Sequence, residues 1–294
     1  MNVATVVAQA ASPWAFHLHP DVLGLVVALL AGYGYAVRRW GRLFHPRPTE
    51  RVVSAKQVAL FVAGVAAFWA ALGWPVHDLS ENYLYSAHML QHILLGYVAP
   101  PLLLLGMPRW LGEIVLGRGT RGRLYRLATR PIIAGVAFNV VLALIHWPLV
   151  VDLMVASEVM HAGFHLVFLV GAVLMWSVLY SPIAEVSERL QPPGKMLFLF
   201  AMTLLPTVPA SFLTFGERPL YRVYETFPRL WGLSATDDMQ LAGLLMKVGA
   251  GLLLWSILAV MFFRWASREE PANGRPRTAD PAGSSPSPTP NRWS

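Results

Sequence analysis

The stretch SAHMLQHILLGYVAPPLLLLG at residues 86–106 decides the fold of this chain. It contains no Asp, Glu, Lys or Arg, but it carries two histidines, His88 and His92, near its beginning. An apolar run of about 20 residues is long enough for a helix to cross the roughly 30 Å hydrocarbon core of a bilayer. We therefore predict a membrane-spanning helix over residues 84–105.

The rest of the chain has the same apolar character. Of its 294 residues, 55% are hydrophobic and 13% are charged, whereas about 25% of the residues of a soluble domain are charged. This composition excludes an ordinary soluble enzyme and predicts an all-α fold, a polytopic membrane bundle of seven transmembrane helices. The other six predicted spans are 21–39, 55–73, 131–151, 158–180, 195–215 and 238–264.

The basic residues predict the orientation of the bundle. Of 23 Lys and Arg residues, 19 lie in or beside the connections after the first, third and fifth spans, or at the end of the seventh span and beyond it. Cytoplasmic loops are enriched in Lys and Arg, so we predict an outside N-terminus and a cytoplasmic C-terminus. The net charge of +7 then reflects topology, with the lipid bilayer rather than nucleic acid as partner.

Two segments differ in composition from the apolar spans. The first is the end of the chain: residues 1–265 form the predicted transmembrane domain, whereas residues 266–294 are so rich in Pro, Ser and Gly that we predict a disordered cytoplasmic tail. The segment 217–236 carries Tyr221, Tyr224, Phe227 and Trp231. We expect that segment to lie along the outer membrane interface as an aromatic belt.

Five histidines lie inside predicted spans, in one layer near the outer face. At a rise of 1.5 Å per residue, three of them lie roughly 6 Å below the outer boundary and two lie about 12 Å below it. Residues at positions i and i+4 share one helix face, so each His-x-x-x-His pair can direct two rings at one point. The five are His88 and His92 in the third span, His146 in the fourth, and His161 and His165 in the fifth.

The chain has no cysteine, so any metal must be held by His, Met or carboxylate. Imidazole suits Zn, Cu, Fe and Ni, and thioether sulfur favours Cu(I). A single His or Met is usually a packing residue, but ionisable residues inside a membrane are costly and usually functional. The predicted metal ligands are the five histidines inside the spans together with His77, Met89 and Met160.

Charged residues near the same layer are candidates for supporting roles. We expect them to orient ligating imidazoles, to attract cations to the mouth of the site, or to control access. Acids at a helix N-terminus are also favourable for the helix dipole alone, and a lysine inside a span can extend toward the interface. These candidates are Asp78, Asp152, Glu158, Asp238 and Lys247.

Several motifs strongly resemble the CtaG-like family of cytochrome c oxidase assembly factors. They are residues 86–106, HWP at 146–148, EVMHAGFH at 158–165, PLYRVY at 219–224 and DMQLAGLLMK at 238–247. The resemblance runs over residues 55–265. It implies a multi-pass protein of the bacterial cytoplasmic membrane that helps copper to reach a haem–copper oxidase. Its implied partners are oxidase subunits or another copper-handling protein.

Three functions are compatible with the histidine layer. The first is a non-enzymatic assembly factor that binds copper at the outer face. The second is an intramembrane zinc hydrolase with three His ligands and Asp78, Asp238 or Glu158 as the base, although the sequence lacks His-Glu-x-x-His. The third is an electron-transfer protein in which two histidines ligate haem.

Overall fold

The computed structural model describes residues 13–44 and 52–273, and within these ranges the chain is helical, with no strand. The α-helices of the described residues are α1 (Pro20–Arg39), α2 (Gly41–Phe44), α3 (Ala55–Leu72), α4 (Val76–Asn82), α5 (Tyr85–Ile93), α6 (Ala99–Gly106), α7 (Arg109–Leu116), α8 (Gly119–Ala128), α9 (Pro131–Ile145), α10 (Pro148–Ala156), α11 (Glu158–Tyr180), α12 (Ala184–Ser187), α13 (Pro192–Leu204), α14 (Thr207–Phe215), α15 (Ala235–Leu244) and α16 (Ala250–Asn273).

The predicted all-helical membrane bundle is confirmed, with six or seven candidate spans. Within the described part of the chain, six helical segments are long and apolar enough to cross a bilayer, and a seventh is added if α8 and α9, bent by 75°, count as one span. The orientation of the termini stays a prediction. The six segments are Pro20–Arg39, Ala55–Asn82, Tyr85–Gly106, Glu158–Tyr180, Pro192–Phe215 and Ala235–Glu269.

The prediction of one continuous fourth span was wrong. Helix α9 ends at Ile145, His146 lies at the break, and α10 begins at Pro148. The cause is Pro148, because proline disfavours helical backbone at the residue before it and cannot continue the hydrogen-bond ladder. Helix α9 is about 22 Å long at 1.5 Å per residue, which is short for a complete crossing.

The third span is interrupted by a π-helical turn over Leu94–Val98, between α5 and α6. Pro100 has no backbone N–H to bond the carbonyl of Gly96, four residues earlier. The Trp176 indole Nε1 of α11 donates to that carbonyl at 2.9 Å. A Cβ at Gly96 would lie 2.5 Å from the Phe168 ring, so only glycine allows this close approach. The third and fifth spans are thereby held together below their histidines.

Helix α11 lies at the centre of the bundle. It packs against α6 on one side and α9 on another, while α15 packs against α5. Phe138, Phe168 and Trp176 are fully buried where these helices meet. The fifth span therefore contacts both the third and the fourth, the arrangement that convergence of their histidines requires.

Two regions outside the spans have local structure that the sequence did not predict. In the segment predicted as an interfacial belt, Tyr221 and Tyr224 are buried against Tyr85 and the Tyr221 hydroxyl donates to the His146 carbonyl at the helix break, whereas Trp231 is 62% exposed. The position of this segment along the membrane interface stays a prediction. Helix α16 continues to Asn273, so the chain is still helical beyond 266, where the tail was predicted to begin. Helix-favouring residues such as Arg268 and Glu269 extend it. The remaining tail, 274–294, lies outside the described residues.

Candidate metal centre

The five histidines predicted inside the spans come together in the structure, and we call them the histidine core. All five are buried, and neighbouring ring centroids lie between 4.3 and 5.8 Å apart. Helices α5 and α11 each contribute a pair, and the break between α9 and α10 contributes one ring. The members of the histidine core are His88, His92, His146, His161 and His165.

Three Nε2 atoms converge at the centre of this core. His165 Nε2 lies 3.2 Å from His92 Nε2 and 3.2 Å from His161 Nε2. One nitrogen each from His88, His161 and His165 also fall within 4.8 Å of one another. Nitrogens bound to one tetrahedral ion with metal–nitrogen bonds of about 2.0–2.1 Å lie about 3.3–3.4 Å apart. The two distances from His165 Nε2 are thus close to the spacing of nitrogens on a single small ion, and the wider group of His88, His161 and His165 is the one that could hold an ion together.

Hydrogen bonds alone leave this arrangement incompletely satisfied. A neutral imidazole has one N–H and one lone pair, so His165 Nε2 can be the donor or the acceptor for its two neighbours but not both. Among the described residues, the Nδ1 atoms of His88 and His92 and the Nε2 atom of His146 are buried without a hydrogen-bond partner. Such groups are rare in native structures, and an ion is one of the explanations for them.

A carboxylate fixes the orientation of one ring. His161 Nδ1 lies 3.0 Å from Glu81 Oε2 of α4. When Nδ1–H donates to this carboxylate, Nε2 keeps its lone pair and faces the other rings. Metal-ligating histidines almost always donate their second N–H in this way, so Glu81 supplies the partner that a ligating His161 requires.

The break in the fourth span positions His146. Its Nδ1 lies 2.7 Å from the Leu142 carbonyl, which leaves Nε2 as the free acceptor. Its own carbonyl has no continuing helix to bond and accepts a hydrogen bond from the Tyr221 hydroxyl at 2.8 Å. Burial raises the pKa of Tyr221 to about 12, so this hydroxyl remains protonated and can donate at neutral pH.

A small cavity adjoins the core. Its lining includes His92, His146, Met89 and Met246, and its volume of about 10 Å³ is comparable with the space that one water needs. Met89 is buried, as a predicted ligand near the rings should be. Two thioethers therefore lie beside the imidazoles.

Asp238 supports the core indirectly. Its carboxylate, buried at the start of α15, accepts hydrogen bonds from the backbone N–H groups of Tyr85 and Ser86 at 2.7 and 3.0 Å. The Ser86 hydroxyl also donates to it. These contacts cap the first turn of α5, where helix N–H groups have no partner of their own. Asp238 therefore holds the helix that carries His88 and His92, and it contacts neither ring.

The structure places His77 and Asp78 in a separate cluster. His77 Nδ1 lies 3.3 Å from the Gln91 side-chain amide, and its ring stacks edge-on against His19 with centroids 4.8 Å apart. Asp78 lies 3.3 Å from His19 Nε2 and 3.8 Å from His17 Nδ1. We call His17, His19, His77 and Asp78 the Asp78 cluster; it lies beside the histidine core without joining it.

Four other predicted residues are not brought to the core. Met160 is 44% exposed, because it lies about 100° around α11 from His161. Asp152 and Glu158 are exposed near the ends of α10 and α11. Lys247 is exposed as well, with Nζ 5.7 Å from the centre of the Phe215 ring. An exposed lysine beside an aromatic ring fits the snorkelling alternative.

Sequence reasoning missed Glu81, Tyr221 and Met246 as parts of the site. Two of them could have been suspected from their positions in the sequence. Glu81 is an acid four residues after His77, and Met246 is a methionine next to Lys247 inside the last span. Nothing in the local sequence links Tyr221 to His146, because the contact depends on a break in a distant helix.

Fold and site together define the class: a polytopic helical membrane protein with a buried, cysteine-free histidine centre. The chain belongs to the cytochrome c oxidase caa3 assembly factor family, whose model matches residues 31–268. The predicted CtaG-like resemblance is thereby confirmed. No curated protein and no solved structure matches the chain.

Proposed function

We propose that this chain is a non-enzymatic assembly factor that binds copper, as Cu(I), at the histidine core and passes it on during assembly of the oxidase. One observation carries the proposal: the Nε2 atoms of His92 and His161 both lie 3.2 Å from His165 Nε2. The buried ring nitrogens that have no hydrogen-bond partner in the described ranges, on His88, His92 and His146, support the same proposal, because a bound cation would accept lone pairs that no N–H group reaches.

The charge of the site favours a monovalent ion. With neutral rings, the carboxylate in contact with the histidine core is Glu81, on His161. One Cu(I) would bring the local charge to zero, whereas Zn²⁺ would leave an uncompensated positive charge. Uncompensated charge inside a membrane protein is costly, and the family's role in oxidase assembly makes copper the relevant cargo.

The neighbouring thioethers favour the same ion and provide a route for exchange. Met89 and Met246 line the cavity that His92 and His146 also line, and thioether sulfur selects Cu(I). The five rings offer more nitrogens than one Cu(I) needs, so the ion can change ligands one at a time. Met89, rather than the exposed Met160, is the thioether that assists transfer.

The proposed setting is the bacterial cytoplasmic membrane, with the histidine core near the outer face. The arginine-rich connections support this orientation because Lys and Arg are enriched on the cytoplasmic side. The Asp78 cluster lies at the same end as the histidine core, with His17 exposed, and supplies a place where a cation first meets the protein. Oxidase subunits or another copper-handling protein are the proposed partners.

The two alternative functions receive less support from the geometry. Asp238 already caps α5, Asp78 pairs with histidines of its own cluster, and Glu158 is exposed, so none of the three acids is placed as the base of a zinc hydrolase. A haem group would need far more room than the cavity of about 10 Å³ beside His92 and His146.

Competition between purified protein and a chromogenic Cu(I) chelator tests the proposal. We expect about one tightly bound Cu(I) per chain and its loss in a His161→Ala, His165→Ala double variant. Met160→Ala, at an exposed position of the same helix α11, is the matched control and should retain the ion. Absence of stoichiometric copper in the wild type, or equal retention by the double variant, would contradict the proposal.

A further inference from the structure

A groove at the end of the bundle opposite the histidine core has no part in the metal site. It lies where α11 ends at Tyr180, α13 begins at Pro192, and the middle turns of α16 pass beside both. Its volume is about 490 Å³. We call it the basic groove, and the residues that define it are Tyr180, Lys195, Ile257, Arg264, Trp265 and Arg268.

The charge of the basic groove is positive. Lys195, Arg264 and Arg268 line it, and its lining contains no Asp or Glu. Lys195 Nζ donates to the Leu179 carbonyl at 3.3 Å, which leaves two of its three N–H groups for a ligand. Glu188 is the acid that acts on Lys195 electrostatically, but it also lies 3.4 Å from Arg109.

The walls of the groove are apolar and aromatic. Ile257 and Val260 form part of one wall, and the Val260 side chain is 55% exposed. Tyr180 and Trp265 lie at the level of the cations. Tyrosine and tryptophan prefer the headgroup level of a bilayer, so the groove combines a polar, cationic mouth with an apolar wall directed along the membrane.

We propose that the basic groove binds the headgroup phosphate of an anionic phospholipid. Arginine matches phosphate oxygens with two parallel hydrogen bonds, and basic pockets between membrane helices are suited to anionic headgroups. The acyl chains would extend over the exposed apolar face that includes Val260. A soluble phosphate compound would bind the same Lys and Arg side chains, but it has no acyl chains to contact the exposed apolar face.

The lipid would join the ends of three spans. Tyr180, Lys195 and Arg264 belong to the fifth, sixth and seventh spans, and a headgroup shared among them links α11 to helices that carry no core histidine. The inference does not rest on copper binding, because no residue of the histidine core lines the groove.

Native mass spectrometry of the full chain, released from mixed bilayers, tests the inference. We expect a retained phosphatidylglycerol in preference to phosphatidylcholine of the same acyl chains. An Arg264→Gln, Arg268→Gln double variant should lose about tenfold or more in retention, because each cation contributes about 1 kcal/mol near an anionic headgroup. An Arg121→Gln, Arg123→Gln double variant, with both changes at exposed positions of α8, is the matched control and should match the wild type. Thermal unfolding in detergent at the wild-type temperature reports that all variants are folded, whether or not the chain binds copper.

Three outcomes would overturn the inference. One is equal loss of lipid in the α8 control, which would indicate a diffuse charge effect. Another is that inorganic phosphate or glycerol 3-phosphate displaces phosphatidylglycerol at similar concentrations, which would indicate a site for soluble anions. The last is that the full chain retains no lipid and a chain ending at Asn273 does, which would make residues 274–294 the occupant.

Discussion

The two ends of the bundle use polar side chains in opposite ways. At one end, the histidine core buries five rings whose positions are fixed by Glu81, Leu142 and Asp238. At the other, Arg264 and Arg268 extend along an open groove with exposed side chains. The first end is suited to one small cation held by geometry. The second is suited to a larger anion attracted by charge.

This difference determines how each end should respond to substitution. Removing one buried polar group with a fixed partner is costly for stability and binding, because the partner is left buried without a hydrogen bond. Exposed charges contribute small, roughly independent amounts that are screened by salt. Single substitutions should therefore have large effects at the histidine core and small effects at exposed positions.

The largest effect is expected for His165→Ala. His165 is the ring that both His92 and His161 approach at 3.2 Å, so its removal takes away a ligand and the centre of the arrangement. Cu(I) affinity is measured by chelator competition. Loss of a residue that only hydrogen-bonds a metal ligand lowers affinity by about 10–100-fold, and the loss in His165→Ala should be larger. His77→Ala is the control and should stay near the wild type. A similar loss in both variants would contradict a site confined to the histidine core, because the Asp78 cluster would then take part in binding.

The next effect is expected for Glu81→Gln. The amide cannot accept the Nδ1–H of His161 with a full negative charge, and the compensating charge for Cu(I) is lost. Cu(I) affinity should fall by about 10–100-fold. Glu158→Gln, an exposed acid at the start of α11, should leave the affinity unchanged. Equal affinity in the Glu81→Gln variant and the wild type would remove Glu81 from the site.

An intermediate effect is expected for Asp238→Ala. Two backbone N–H groups at the start of α5 would lose their acceptor, so the free energy of unfolding should fall by about 2 kcal/mol. Thermal unfolding in detergent measures this change, and Cu(I) affinity should weaken with it. Asp238→Asn keeps one acceptor oxygen and should recover part of the stability. Asp152→Ala, at an exposed site, serves as the control, and equal melting temperatures in the two alanine variants would rule out the cap.

A smaller effect is expected for Tyr221→Phe. The variant removes the hydroxyl that donates to the His146 carbonyl at 2.8 Å and keeps the ring packed against Tyr85. The free energy of unfolding should fall by about 1 kcal/mol. Tyr35→Phe, on the exposed face of α1, should not change it. If the two variants unfold at the same temperature, the hydrogen bond does not stabilise the break.

The smallest effect is expected for Lys247→Met. Its ammonium group is exposed and lies near Phe215 rather than near a ring of the histidine core. Cu(I) affinity should therefore remain within about twofold of the wild type, because a contact of this kind at an exposed site is weak. A large loss of copper would show that Lys247 takes part in binding or access.

The sequence predicted the helices well because lipid imposes a simple rule. A crossing needs a long apolar run, and the predicted third and fifth spans agree with Tyr85–Gly106 and Glu158–Tyr180 to within one residue at each end. The exception was the fourth span, where apolar composition continued past Pro148 while the helix did not. Hydropathy measures only how apolar the residues are, so it does not show that the Pro148 backbone lacks the N–H group that a continuous helix needs.

The candidate site was predicted where helical spacing alone was sufficient. The i, i+4 spacing of His88 with His92 and of His161 with His165 placed each pair on one face, and the structure joins the two faces. The role of Glu81, by contrast, depends on how α4 folds against α11. That tertiary contact leaves no periodic signal in the sequence, and neither does the cap that Asp238 provides for α5.

X-ray absorption at the copper edge of the Cu(I)-loaded full chain tests the central claim most directly. We predict three or four nearest neighbours, most of them nitrogen, with the multiple-scattering pattern of imidazole rings, and fewer imidazole neighbours in His165→Ala. A sulfur neighbour from Met89 would be compatible with this result. A first shell made only of oxygen, or an imidazole pattern that is unchanged in His165→Ala, would contradict a copper site at the histidine core.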